Sequence, residues 1–178
     1  RPILVMCDHK SQAKWARVVE QKGMPEDTSQ EFLIKDAVKE LLAWGFKNHQ
    51  TQPCYVFKSD GEPAIRKVRD TIAARMGGRI PLEEPAKGES KSNGMVEVQG
   101  KNVRAMARTI VSQIETKAKF TIDNRSDLFK WIVRAAAMLL NKYKYGEDGK
   151  TSNQRLGMRR SKVEAIPFGE QVWFKTRE

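Results

Sequence analysis

Short apolar runs of strand length alternate with amphipathic helical segments along this chain, and no other feature constrains the fold more. Ile3–Asp8 (ILVMCD) is a continuous apolar run that ends on an acid, which predicts a buried strand with a carboxylate at its carboxyl end. Lys14–Val19 predicts a second strand that pairs with it as a hairpin. The other predicted elements are helices from Thr28 or Ser29 to Phe46, from Pro63 to Met76, from Asn93 to Glu115 and from about Ser126 to Tyr143, with short strands at 54–57 and 79–83. Strands that alternate with helices are typical of α/β folds.

The apolar positions within these segments predict which side chains form the core. In the first helix, the predicted apolar stripe consists of Phe32, Ala37, Leu41, Leu42 and Trp44. Trp15 and Trp131 are also expected in the core. Cys7 and Cys54 lie in apolar, strand-like runs, where we expect them to act as small buried hydrophobes.

The composition argues against two kinds of site. The chain has only two histidines, His9 and His49, and no cysteine–histidine cluster with zinc-site spacing, so we expect no structural zinc. No stretch approaches the roughly 18 consecutive apolar residues of a membrane-spanning helix, and the N-terminus lacks the layout of a signal peptide. We therefore expect an intracellular protein that does not enter a membrane.

Positive charge is concentrated in the second half of the chain, which has a net charge of +11 overall. Residues 1–86 hold 14 Lys and Arg against 12 Asp and Glu, a net charge of +2, whereas residues 87–178 hold 19 against 10, a net charge of +9. A basic half of this kind favours a polyanionic partner, with nucleic acid ahead of an anionic membrane. The alternative is a basic, solvated surface that keeps the protein in solution.

Three acids stand at positions that suit metal-dependent chemistry. Asp8 and Asp60 each follow an apolar strand, and binding sites in α/β sheets gather at the carboxyl ends of strands. Glu97 lies in the first turns of the third predicted helix. Carboxylate oxygens suit Mg²⁺ or Mn²⁺, and two such ions roughly 3.5–4 Å apart can drive phosphodiester chemistry. A single Asp at a strand end is more often a turn or cap residue. The competing acids are Glu62, Asp70, Glu83 and Glu84.

The helix that carries Glu97 also carries a row of cations. Lys101, Arg104 and Arg108 follow Glu97 by four, seven and eleven residues, so all four side chains share one face. A separate apolar stripe is predicted to face the core, with members Val96, Val103, Ala107, Ile110 and Ile114. An acid followed by three cations predicts a metal ligand beside a track for phosphates. The alternative is an ordinary solvated face with a Glu–Lys pair four residues apart.

These motifs resemble the integrase catalytic core of retroviruses and long-terminal-repeat retrotransposons, a branch of the ribonuclease H-like superfamily. The matching pieces are VMCD around Asp8, FKSDGEPAI around Asp60 and SKSNGMVE, which ends at Glu97 and includes the most specific pair, Asn93-Gly94. The similarity covers nearly the whole chain in the right order. It implies a ribonuclease H-like fold, with a mixed central sheet flanked by helices, over residues 1–165. Residues 166–178 would be a linker and the first strand of a C-terminal domain.

The resemblance also implies an activity and the residues that carry it. Asp8, Asp60 and Glu97 would be the catalytic carboxylates that hold two Mg²⁺ or Mn²⁺ ions, and Lys101 and Arg104 would contact the element's terminal DNA. We expect further DNA contacts from Lys91, Asn93 and Arg108. The activity would be cleavage near the 3′ end of the element, followed by strand transfer into double-stranded target DNA. The active form would be a homodimer or higher multimer, located in the nucleus if the host is a eukaryote. The Ala-rich helix at 131–140, together with the charged helix before it, would form the dimer interface.

The chain departs from the family pattern in places, and other functions stay open. Gly61 stands where the family usually has Asn, and the third strand of the opening meander is short or missing between Gly23 and Thr28. Neither departure removes a metal ligand. One alternative is a decayed or domesticated element that binds DNA without cutting it, and another is a different ribonuclease H-like nuclease or a transposase. We also expect the chain to be a piece of a longer polypeptide.

Overall fold

The computed structural model describes residues 1–20, 28–46, 55–59, 62–77, 80–83, 94–158, 166–170 and 172. The strands are β1 (Ile3–Cys7), β2 (Lys14–Val18), β3 (Phe57–Lys58) and β4 (Leu82–Glu83). The helices are α1 (Thr28–Ala43), α2 (Pro63–Met76), α3 (Gly94–Ala118), α4 (Asp127–Tyr143) and α5 (Ser152–Arg155). After the β1–β2 pair, helices and strands alternate as far as α3, which confirms the predicted α/β class.

The β1–β2 hairpin lies between two layers of helices. The two strands are antiparallel, with Met6 opposite Trp15 and Val5 opposite Ala16. Because side chains alternate along a strand, Met6 and Trp15 pack in one core cluster with α1 and α2, whereas Val5 and Ala16 pack in a second cluster with α3 and α4. Helices cover both faces of the hairpin, which explains why the run at the start of the chain is apolar without interruption.

A second sheet consists of the parallel pair β3 and β4, which α2 connects. Phe57 pairs with Leu82, and Lys58 pairs with Glu83. Tyr55, Phe57 and Ile80 pack against the core cluster formed by α1 and α2. Both strands are shorter than predicted, and the described strands form two two-stranded sheets rather than one mixed sheet.

Two helix ends differ from the prediction. α1 ends at Ala43 and not at Phe46, because Gly45 has a φ of 93° and reverses the chain. The amide of Phe46 then donates to the carbonyl of Leu41, and the amide of Gly45 donates to that of Leu42, which satisfies the last carbonyls of the helix. α3 continues to Ala118 instead of ending at Glu115.

The core contains most of the predicted residues, with three errors. Ala37, Leu41, Trp44 and Trp15 are buried as predicted. Phe32 and Leu42 are exposed, at 65% and 51%, because the face of α1 that packs inward carries Leu33 and Ile34 instead. Trp131 is 56% exposed, so its placement in the core was wrong. The guanidinium of Arg134 lies 5.3 Å from the centre of its ring.

Several sequence predictions fall outside the described residues, namely Cys54, His49, the loop at 84–92 and most of the segment 171–175. The described residues that follow the predicted boundary, 166–170, pack onto the rest of the chain: Phe168 contacts the second core cluster, and Glu170 pairs with Lys117 of α3. None of the described helices is both long and apolar enough to cross a membrane.

Candidate metal and nucleic-acid site

Asp8 lies directly after β1, in the turn that leads into β2. Its main chain closes this turn, because the Asp8 amide donates to the Ala13 carbonyl and the Asp8 carbonyl accepts from the Gln12 amide, both at 2.9 Å. Its Oδ2 atom accepts from the amide of Ser11 at 2.6 Å and from the hydroxyl of Ser11 at 2.5 Å. Oδ1 has no hydrogen bond to any residue that the structure describes. Among the described residues, the half-buried carboxylate is therefore held through Oδ2 alone.

Glu97 lies in the first turn of α3 and is exposed. α3 packs against β1, the strand that leads into Asp8. Gly100, one turn after Glu97, has no side chain, and a Cβ built there would lie 3.9 Å from a methyl carbon of Val5 in β1. The first turns of α3 therefore lie close to the strand that leads into Asp8. The helix predicted around Glu97 is confirmed, and the role of Glu97 stays a prediction.

Asp60, Lys91 and Asn93 lie outside the described residues, and their roles stay predictions too. The segment that leads into Asp60 is fixed in place, since the Ser59 amide donates to the Glu83 carbonyl at 3.3 Å and Arg69 donates to the Ser59 hydroxyl at 3.2 Å. Within the described part of the chain, no three Asp, Glu, His or Cys side chains come together as a metal site.

The described acids that compete with Asp60 and Glu97 have other surroundings. Asp70 accepts a hydrogen bond from Arg69 Nε at 2.8 Å and projects from the exposed side of α2. Glu83 lies in β4, is 60% exposed and is 3.9 Å from the Lys58 ammonium. Glu62 is the residue before α2 and does not cap that helix with its side chain.

The exposed face of α3 carries cations that are not neutralised by the described residues. Lys101, Arg104 and Arg108 are all exposed, whereas Val103, Ala107 and Ile110 on the opposite side are buried, as predicted. None of the three cations forms a salt bridge within the part of the chain that the structure describes, and in particular Glu97 does not pair with Lys101. The alternative interpretation was a solvated face with a Glu–Lys pair, and the ion pair between Glu97 and Lys101 that it requires is not formed.

The sequence analysis missed a buried lysine next to the Asp8 turn. Lys14 begins β2 and is only 3% exposed. The side chain of Asn141 holds its main chain, accepting from the Lys14 amide at 3.0 Å and donating to the Lys14 carbonyl at 2.8 Å. Burial lowers the pKa of Lys14 to about 8 and raises the pKa of Cys7, its partner across the hairpin, to about 11. The alternation of side chains along β2 could have predicted this burial, because Lys14 shares a face of the strand with Ala16 and Val18.

Comparison with known proteins gives a likeness of fold only. The chain matches no protein-family model and no curated protein. Among solved structures it is similar to a chain in the cryo-EM structure of the simian T-cell lymphotropic virus intasome in complex with PP2A regulatory subunit B56 gamma, with a TM-score of 0.58 and 14% identity. The match covers 98% of this chain and 54% of that chain, so this chain spans about half of its length. This chain is therefore a mixed α/β protein with a fold similar to that of a chain in this intasome complex.

Proposed function

We propose that the chain is the catalytic core of a retroelement-type integrase, which cleaves and joins DNA strands with the help of divalent metal ions. The observation that carries this proposal is the exposed face of α3, where Glu97 is followed by the cations Lys101, Arg104 and Arg108 with no salt bridge among the described residues. Exposed cations that lie on one face of a helix, without acidic partners among the described residues, favour binding of a polyanion over a merely solvated surface.

The fold is compatible with this proposal. A ribonuclease H-like domain has a central sheet covered by helices on both faces, and here helices cover both faces of the β1–β2 hairpin. The parallel pair β3 and β4 follows the hairpin in the chain, and α2 connects its two strands. The likeness to a chain of a viral intasome supports the same reading of the fold.

The donor set fits Mg²⁺ or Mn²⁺. Asp8 and Glu97, with Asp60 as the proposed third member, offer carboxylate oxygens, which are the ligands that these hard cations prefer. The Oδ1 atom of Asp8 has no hydrogen bond among the described residues, so its lone pairs are available to a cation. When bound, two such ions would activate the attacking oxygen and stabilise the leaving oxygen of a phosphodiester.

The chain's own residues would place the DNA. Along the axis of α3, Lys101 and Arg104 are about 4.5 Å apart, and Arg104 and Arg108 are about 6 Å apart. That spacing allows successive contacts with the phosphates of one DNA strand, and Lys91 and Asn93 would extend the contact surface before the helix.

In the first step, water would attack a phosphodiester near the 3′ end of the element and release a 3′-hydroxyl. In the second step, that hydroxyl would attack a phosphorus atom of the target DNA and displace its 3′ oxygen.

The proposed protein acts as a homodimer or higher multimer on double-stranded DNA. The three central residues of the predicted dimer helix, Ala135, Ala136 and Ala137, are buried in the core and are not available to a partner. The same helix exposes Trp131 and Met138, at 56% and 54%, and we propose that this apolar face makes the contact.

A branched DNA that mimics the strand-transfer product tests the activity. The parent chain is incubated with this DNA in Mn²⁺ beside Asp60→Asn, Asp8→Asn and Glu97→Gln. Asp70→Asn and Glu83→Gln are matched controls, because each removes one carboxylate charge from a neighbouring acid with its own basic partner. We expect the parent and both controls to resolve the branch and the three site variants to lose at least 100-fold in rate, because each lost carboxylate would disrupt metal coordination.

Equal activity in all variants would contradict the proposed site. Binding of DNA by the parent without cleavage, with an affinity that falls steeply with salt, would favour the module that binds DNA without cutting it. Preference for an RNA–DNA hybrid over branched DNA would favour a ribonuclease.

A further inference from the structure

Hydrogen bonds from α5 stabilise the turn that carries Asp8. Ser11, which is 3% exposed, makes hydrogen bonds in two directions. Its amide and hydroxyl donate to Oδ2 of Asp8, and its carbonyl accepts from Nη1 of Arg155 at 3.2 Å. One buried residue therefore connects Arg155 to the carboxylate of Asp8.

Arg155 is itself fixed by the loop that precedes α5. Asp148 accepts from Arg155 through both carboxylate oxygens, with Nε 2.9 Å from Oδ2 and Nη2 2.5 Å from Oδ1. This two-point contact holds the pKa of Asp148 well below its usual range and sets the orientation of the guanidinium plane. Gly146 leaves space for that plane, because a Cβ at this position would lie 1.9 Å from Nη2 of Arg155. The loop is therefore shaped around one orientation of the arginine.

A second contact from α5 holds the next residue of the turn. Gln12 has a φ of 57°, in the left-handed region that residues other than glycine seldom adopt. Its carbonyl accepts from the hydroxyl of Ser152 at 3.0 Å. α5 thus binds two successive carbonyls of the turn, those of Ser11 and Gln12, and stabilises a backbone conformation that carries some strain.

We propose that Arg155 is a positioning residue, which Asp148 holds in place and which fixes the carboxylate of Asp8 through Ser11. With Oδ2 occupied by Ser11, Oδ1 is the oxygen left for a metal ion, so the network selects one carboxylate orientation. The role of this network in metal binding rests on the proposed function, whereas its hydrogen bonds do not. Outer partners of this kind change metal affinity about 10- to 100-fold when they are removed from known sites.

The geometry is tested first without metal. The ¹⁵N-labelled chain is used to assign the amide resonance of Ser11, which a short hydrogen bond to a carboxylate shifts downfield. We expect this resonance to move upfield in Asp8→Asn, Arg155→Gln and Asp148→Asn. Arg134→Gln is the matched control, since it removes an exposed arginine whose contact is the ring of Trp131, and it is expected to leave the resonance unchanged. An unchanged resonance in both Arg155→Gln and Asp148→Asn would overturn the proposal.

The consequence is tested with Mn²⁺ alone, by water-proton relaxation. We expect Arg155→Gln to weaken Mn²⁺ binding about 10-fold or more, and Arg155→Lys, which keeps the charge but loses the two-point contact, to weaken it less. If Asp148 acts through Arg155, the double variant Asp148→Asn/Arg155→Gln binds Mn²⁺ no more weakly than Arg155→Gln. Unaltered Mn²⁺ affinity in Arg155→Gln would overturn the positioning role. Failure of the parent to bind Mn²⁺ would instead overturn the proposed function, and the Ser11 resonance would still decide the geometry. Arg155→Lys also serves as the variant of choice if Arg155→Gln does not fold.

Discussion

Replacement of Lys14 by Met is expected to stabilise the protein at neutral pH. The pKa of Lys14 falls from 10.5 to about 8 because the ammonium group is buried, and two further cations, Lys144 and Arg155, lie near it. Each unit of pKa difference between the folded and unfolded states corresponds to 1.36 kcal/mol, so the charged form of Lys14 costs the folded state about 3 kcal/mol at pH 7. Met has a similar length, carries no charge and suits a partly irregular interior.

The pH dependence of the free energy of unfolding tests this prediction more stringently. Because the folded pKa of Lys14 is lowered, the unfolded chain binds more protons between about pH 8 and pH 10.5, so the wild-type lysine regains stability as the pH rises through that window. Cys7 acts in the opposite sense: its raised pKa means that stability is lost between pH 9 and about pH 11. The comparison is therefore made in a Cys7→Ala background, which removes the thiol from both proteins.

Urea unfolding at pH 7 and pH 10 measures both effects. Cys7 raises the pKa of Lys14, so the advantage of Cys7→Ala/Lys14→Met over Cys7→Ala should be at least about 3 kcal/mol at pH 7 and should shrink by about 2 kcal/mol or more at pH 10. Lys10→Met in the same background is the control, since Lys10 is exposed in the same turn and its replacement should change stability only slightly. An advantage of Lys14→Met that is the same at both pH values, or a loss of stability at pH 7, would refute the argument.

Three further predictions concern other parts of the molecule. Arg104→Ala should weaken DNA binding and should reduce the slope of log affinity against log salt by about one, because one phosphate contact is lost; a slope equal to that of the parent would contradict the phosphate track. Gly146→Ala should lower the midpoint of urea unfolding, since the new methyl group displaces the guanidinium of Arg155 and breaks its contact with Asp148; a parental midpoint would show that the arginine moves aside freely. Trp131→Glu should lower the average mass in sedimentation equilibrium without loss of helicity, because it places a charge on the exposed apolar face of α4, and an unchanged mass would remove that face from the interface.

The sequence was sufficient where a single local rule decides the outcome. Pro63 at the first helical position and Gly77 after the last turn set the bounds of α2, and both bounds agree with the prediction. The hairpin followed from two adjacent apolar runs, and the exposed cations of α3 followed from helical spacing alone. The acid at the end of β1 was likewise found from local pattern.

Contacts between distant parts of the chain were beyond the same reasoning. Arg155 reaches Ser11 across 144 residues, and Asn141 reaches Lys14 across 127, so neither contact leaves a local signal. Trp131 was misplaced because its size predicts burial, while the face of α4 that packs inward is filled by small alanines and by Ile132 and Val133. The exposed Phe32 shows the same error on α1, where an apolar residue lies outside the buried stripe.

Asp8 and Glu97 are proposed to belong to one metal site, and Mn²⁺ in crystals of the parent chain would locate that site. Diffraction data collected at the manganese absorption edge locate the ion without reference to activity. We expect an anomalous peak with carboxylate oxygens of both Asp8 and Glu97 about 2.0–2.6 Å away, and with Oδ1 as the Asp8 ligand. An Mn²⁺ peak bound by neither residue, or by Asp8 with Glu97 turned away from it, would contradict the account.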